Sequence, residues 1–211
     1  MNSVILNKTF TEPPFCEKEI LRYAGCKEAD GEITALLKSC INEIKTELTY
    51  RVCYRLFDVK IRDDICDFGA FTLRSKDLSF DLSGCKSAIL FAATVGVGID
   101  RLIAKYGRIS PSKALMFQAI GAERIEALCD AFCADISKEC NVGTMPRFSP
   151  GYGDLPLDTQ KDIFAVLFPE KQIGLTLTDS MLMLPSKSVT AIVGLTNKQK
   201  TITDKCAFRG V

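Results

Sequence analysis

The sequence predicts an α+β domain. Helical periodicity runs through 31–48 and again through 111–140, while 49–61 alternates with period two and 87–95 is a short, continuous apolar run. These segments follow one another without the regular strand–helix–strand alternation of a doubly wound sheet.

In chain order, 17–24 (EKEILRYA) reads as a short helix stopped by Gly25. Residues 31–48 read as a longer one, with Ile33, Leu36, Leu37, Cys40, Ile41, Ile44 and Leu48 on one face. In 49–61, Val52, Tyr54 and Leu56 alternate with Arg51, Cys53 and Arg55, the pattern of a half-buried strand. A second strand is expected at 67–73 (DFGAFTL) and a short third at 78–80. The run SAILFAATV (87–95) is short enough for a buried strand and leads through Gly96 and Gly98 into a helix near 98–106. Leu115, Ala119, Ala122, Ile125, Leu128, Cys129 and Phe132 give the helix at 111–140 its buried side, and Gly121 is expected to loosen it midway. An irregular segment, 143–157, precedes a helix at 158–168 and a last strand near 188–195.

A chain of 211 residues, 47% apolar and 25% charged, is expected to be one globular domain over 1–211, with a helical N-terminal region at about 1–48. Basic and acidic side chains number 27 and 26, so no charge excess draws the protein to nucleic acid or to an anionic membrane. No apolar run approaches the roughly 18 residues of a membrane span. MNSVILNKTF carries neither the basic start nor the apolar stretch of a secretory signal, so a cytoplasmic location is expected.

The chain has no histidine. Ser-His-Asp and Cys-His catalysis, histidine metal sites and the usual neutral-pH proton shuttle are thereby excluded, and no catalytic residue is assigned. Ten cysteines are present but none forms a C-x-x-C pair, so zinc-ribbon and thioredoxin patterns are absent and no metal site is assigned. Free thiols in a reducing compartment are expected, with Cys129 and Cys133 on one helix face.

Two segments have the composition of ligand loops. ATVGVGIDR (93–101) joins a buried strand to a helix, as dinucleotide and AdoMet folds do, but Arg101 stands where the third glycine of G-x-G-x-x-G belongs. A tight strand-to-helix turn needing two glycines is the preferred reading. RFSPGYGDLP (147–156) holds two prolines and two glycines, which fix an irregular backbone around an arginine and a tyrosine. Arg147 can grip a carboxylate bidentately, and Tyr152 offers a ring face and a hydroxyl. By composition alone this is either a ligand loop or a structural connection.

RFSPGYGDLP closely resembles the R-x-x-P-G-Y-x-x-x-P loop of the AdoMet-binding activation domain of cobalamin-dependent methionine synthase, with Arg147, Pro150, Gly151, Tyr152 and Pro156 at the matching places. Upstream, RIEALCDAF (124–132) resembles the family helix that carries an inward glutamate, here Glu126. Downstream, LTLTDSMLMLPSKSV (175–189) resembles the L-T-x-S-x-x-M-x-P-x-x-S-V stretch at Met183, Pro185, Ser188 and Val189. The resemblance is clear over about 85–195.

It implies a mixed or antiparallel sheet with flanking helices. It also implies that S-adenosylmethionine (AdoMet) is bound by Arg147 at its methionine carboxylate and by Tyr152 and the backbone of Gly151, Gly153 and Asp154 at its adenosine, beside Pro150, with Glu126 facing the cationic end. Cobalamin would be supplied by a partner, the methionine synthase core or a related corrinoid protein, with a flavodoxin-like protein as electron donor. The chain would then be a free-standing activation subunit, a component of a methyltransferase that is not catalytic alone. Positioning is the main demand of such a transfer, because the sulfonium is already an activated leaving group.

This sequence departs from the family in several places. Val193 stands where an aromatic is expected, Asp154 replaces a small residue close to the adenosine site, and no N-terminal acidic residue matches. Cys206 alone remains of a cysteine-rich tail. The missing N-terminal acidic residue and Val193 favour the alternative of a docking or chaperone-like module of the same fold, for a corrinoid protein, that no longer binds AdoMet; the intact Arg147 and Tyr152 loop argues against it.

Overall fold

The computed structural model describes residues 4–26 and 28–197. The elements run β1 (Leu6–Phe10), α1 (Glu17–Tyr23), α2 (Gly31–Ile44), β2 (Tyr50–Asp58), β3 (Lys60–Arg62), β4 (Ile65–Asp67), β5 (Thr72–Arg74), α3 (Lys76–Asp81), β6 (Ser87–Thr94), α4 (Gly98–Ile109), α5 (Pro111–Glu139), β7 (Val142–Thr144), α6 (Thr159–Leu167), α7 (Pro169–Ile173), β8 (Thr176–Leu177), β9 (Met183–Leu184) and β10 (Ser188–Asn197). The expected α+β class is what forms. Cys206 lies outside the described residues.

The central sheet has the order β1-β2-β6-β10-β7, and every pair in it is antiparallel. Its register sets Arg51, Thr94 and Ser188 in one cross-strand row and Val52, Ala93 and Val189 in the next. Because side chains alternate, these rows face opposite layers.

One face packs against α1, α2, α4 and α5. Phe132 of α5 sits at its centre, with ring centroids 4.9 Å from Phe91, 5.1 Å from Tyr54 and 6.5 Å from Phe10. The opposite face meets α3, α6, α7 and the β3–β4–β5 sheet, through Leu78, Leu82, Ile163, Leu167, Phe57 and Phe68. This double cover explains β6, which is buried almost throughout and therefore reads as a continuous apolar run.

Double cover also corrects the reading of β2. Cys53 and Phe57, on the side expected to meet water, are buried in the second layer, while Leu56 is exposed. The strand breaks at Val59, and 67–73 is not one strand but the end of β4, a turn at 68–71 and the start of β5, with Gly69 in the left-handed region. Residues 78–80 belong to helix α3, which Ser75 caps by accepting from the Leu78 amide. Strand β1 lies inside the region expected to be helical, and α2 stops at Ile44. Helix α5 runs through Gly121 without interruption, because that glycine admits close packing. A Cβ there would lie 2.8 Å from Lys187 Cγ and 2.9 Å from Ile99 Cγ1. Leu115, placed on the buried side by periodicity, is exposed. Among the described residues, no helix is long and apolar enough to cross a membrane.

Candidate functional site

The glycine turn after β6 is filled by the chain itself. Gly96 is left-handed, and a Cβ on it would strike Thr49 Oγ1; a Cβ on Gly98 would run into the Glu47 carbonyl oxygen. The Thr49 amide donates to the Val95 carbonyl at 3.0 Å, and the Gly96 amide to Thr94 Oγ1 at 3.2 Å. Both glycines are therefore required by close packing of the segment 45–49 onto the start of α4.

The loop 147–156 is built at the far edge of the sheet. Phe148 pairs with Ile192 of β10 through reciprocal backbone hydrogen bonds of 2.9 and 2.8 Å. The Phe148 side chain enters the α6-side layer, so Arg147, its neighbour, turns toward α5. There Arg147 Nη2 donates to Glu126 Oε2 at 2.6 Å, and Nη1 donates to Asp130. Glu126 and Asp130 are one helical turn apart on α5 and present a pair of carboxylates to one guanidinium. Burial pulls the Arg147 pKa down, but the Asp130 hydrogen bond and the surrounding charges leave it above its ordinary value. The thiol of Cys129, beside it, is pushed up by burial.

Beyond Arg147, the chain makes a compact turn. The Gly151 amide donates to the Leu155 carbonyl at 2.9 Å, and the Leu155 amide to the Tyr152 carbonyl at 3.1 Å. Gly151 and Gly153 both hold positive φ, which a side chain would strain. Pro150 is buried beneath the turn, whereas Gly151, Tyr152, Gly153 and Asp154 are exposed. Tyr152 is 63% exposed, and its ring stands edge-on to that of Phe148 at 5.4 Å. The Asp154 carboxylate is turned away to the start of α3. It accepts from the Ser75 hydroxyl, from the Lys76 amide at 2.7 Å and from the Asp77 amide at 3.3 Å.

The structure thus joins Glu126 to Arg147, and groups Gly151, Tyr152 and Gly153 on one exposed turn. Glu126 is less inward than its place in the helix implies: its side chain is 45% exposed. The buried charges of α5 are Glu123 and Arg124. Arg124 donates to Glu123 and to the carbonyls of Pro13 and Pro14, and it lies 3.9 Å from the Phe15 ring centroid. Sequence reasoning missed Asp130, although its i+4 spacing from Glu126 was visible, and missed Ser75. Among the described residues, no group of three or more Cys, Asp or Glu side chains is placed to hold a metal ion.

The family model described as "Vitamin B12 dependent methionine synthase, activation domain" matches residues 80–202. The chain belongs to that family. Its fold agrees with that of a solved member, the MetH reactivation domain, whose crystal structure is bound to AdoHcy. The TM-score is 0.69 at 16% identity, covering 90% of this chain and 78% of the other. No curated protein matches the sequence. The matched family segment contains α5, the Arg147 loop and β10, while Ser75 and the first turn of α3 lie just upstream of it.

Proposed function

We propose that this chain binds AdoMet at the Arg147–Asp154 loop and serves as an activation subunit for a cobalamin-bearing methionine synthase core or a related corrinoid protein. The observation that carries the reading is the loop itself, in a chain of this family: a guanidinium fixed against α5 at one end and an exposed tyrosine on a two-glycine turn at the other. The AdoHcy in the related solved structure supports the ligand class.

On this reading Arg147 holds the methionine carboxylate. Its terminal nitrogens already carry two carboxylates, so the ligand takes the place of one. Asp130 is the easier to displace, since its side chain is 72% exposed against 45% for Glu126. Glu126 then stays beside the cationic end of AdoMet. Tyr152 and the backbone of Gly151 and Gly153 receive the adenosine, above Pro150. AdoMet supplies a methyl group on a sulfonium, and the chain's contribution is orientation. A corrinoid held by the partner, with a flavodoxin-like protein as electron donor, would supply the acceptor for that methyl group, AdoHcy being left behind. The protein works in trans, and no residue of its own takes part in a proton transfer.

Calorimetric titration of AdoMet into the protein and into Arg147→Ala tests this. Binding by the wild type that the variant loses is expected. Undiminished binding by Arg147→Ala overturns the site. A second reading, a docking module of this fold without AdoMet, is favoured by the internal pairing of both Arg147 terminal nitrogens. It predicts no AdoMet binding even with the corrinoid partner present.

A further inference from the structure

We infer that Asp154 and Ser75 form a lash that fixes the Gly151–Gly153 turn, making Asp154 a positioning residue for the adenosine end of the ligand and not a ligand contact. The inference rests on the loop being the AdoMet site.

The lash is anchored in the core. Ser75 is 1% exposed, and its Oγ accepts from the Leu78 amide at 3.0 Å while donating its proton to Asp154. Asp154 thus accepts through both carboxylate oxygens, with the Lys76 and Asp77 amides completing its coordination. The Ser75 hydroxyl, then the Lys76 amide, hold the Asp154 carboxyl below its ordinary pKa. Helix α3 cannot shift freely, because Leu78 and Leu82 are buried in the layer beneath β6.

The loop end is equally constrained. Gly153, immediately before Asp154, has φ +55°, and a Cβ there would strike the Asp77 carboxylate. Gly151 packs on Leu157, whose Cδ1 would lie 3.1 Å from an added Cβ. Tyr152 is therefore placed from two sides: by Phe148, bridged to β10, and by Asp154, bound to α3. A flexible two-glycine turn offers a ligand many wrong shapes, and holding one shape beforehand lowers the ordering cost of binding. Ser75 and Asp77 precede the family-matched segment, so this chain supplies the anchor from outside it.

The test uses Asp154→Ala, Asp154→Asn and Ser75→Ala, beside Arg147→Ala. Without ligand, hydrogen exchange at the amides of Lys76, Asp77, Gly151 and Leu155 is expected to speed up in Asp154→Ala and Ser75→Ala, with β6 and α5 unchanged. Unchanged exchange at those amides overturns the lash, whatever AdoMet does. With ligand, both variants are expected to bind AdoMet about tenfold more weakly. They should bind methylthioadenosine, which lacks the carboxylate, more weakly in the same proportion. Asp154→Asn, which keeps one acceptor oxygen, should recover part of the loss. Arg147→Ala should weaken AdoMet and spare methylthioadenosine. If Arg147→Ala loses AdoMet while the Asp154 and Ser75 variants bind as the wild type does, the lash fails and the site stands. If Arg147→Ala binds AdoMet normally, the site fails.

Discussion

Arg147 reaches from the edge of the sheet to Glu126 on α5, donating Nη2 to Oε2 at 2.6 Å, while its other terminal nitrogen goes to Asp130. This links the two family motifs that lie farthest apart in character: a glycine-rich loop and a regular helix. Both terminal nitrogens of Arg147 are thus already paired with carboxylates, and on the proposed reading AdoMet binding is an exchange of one carboxylate for another.

Asp130→Asn is therefore expected to tighten AdoMet binding by about 1.4- to 5-fold, because an exposed competing ion pair contributes roughly 0.2–1 kcal/mol. Titration of both proteins at matched ionic strength checks this. An unchanged or weaker affinity would show that Asp130 does not compete with the ligand.

Phe132 joins three aromatic rings across the α5 face of the sheet and is almost fully buried. Phe132→Ala should destabilise the protein by about 3–5 kcal/mol, since the cavity lies between elements that cannot collapse onto it. Urea unfolding measures this, and a loss below about 1 kcal/mol would contradict the packing described.

Helices α4 and α5 and strand β6 were legible because each satisfies its own period or length over enough residues. Strand β2 was half legible. Its alternation is real, but which face meets water depends on α6, α7 and the small sheet, elements far away in sequence. Helix α3 was hidden because six residues do not display a helical period, and its start is marked by Ser75 alone. At the site, the sequence pattern picked out Arg147 and Tyr152. It could not show that Asp130 would share Arg147, or that Asp154 would turn to α3, since partner choice is decided by tertiary placement. Gly121 misled for a related reason: its helix cost is local, whereas its packing against Lys187 and Ile99 is not.

Arg124 is completely buried, and Glu123 supplies its counter-charge. Removing one partner strands the other in a poorly solvating interior. Glu123→Ala should cost about 3–5 kcal/mol and free the segment 12–16, whose Pro13 and Pro14 carbonyls Arg124 holds. Proteolysis near that segment is expected to accelerate with the drop in urea midpoint. Restoring full stability with Glu123→Gln would argue that hydrogen bonding, and not charge, is what Arg124 requires.

Burial pushes the Cys53 thiol up to about 12, and the Cys40 and Cys66 thiols up to about 11, from an ordinary 9.0. Burial likewise pushes the Tyr50 hydroxyl up to about 12 from 10.0. Above the ordinary values the unfolded chain releases protons that the folded chain retains. The folded state then binds more protons, and stability falls as pH rises. The decline should begin near 9 and continue through the interval to 11–12 set by these groups. Urea midpoints between neutral and alkaline pH measure the slope. Cys53→Ala should flatten it, even if the variant is less stable at neutral pH. Alkylation followed site by site gives an independent check: exposed Cys16 and Cys140 should react in the native state well before buried Cys40, Cys53, Cys66 and Cys129. Rapid labelling of Cys53 at neutral pH would show that the layer covering that face of the sheet opens readily, and the share of the alkaline slope assigned to Cys53 would shrink accordingly.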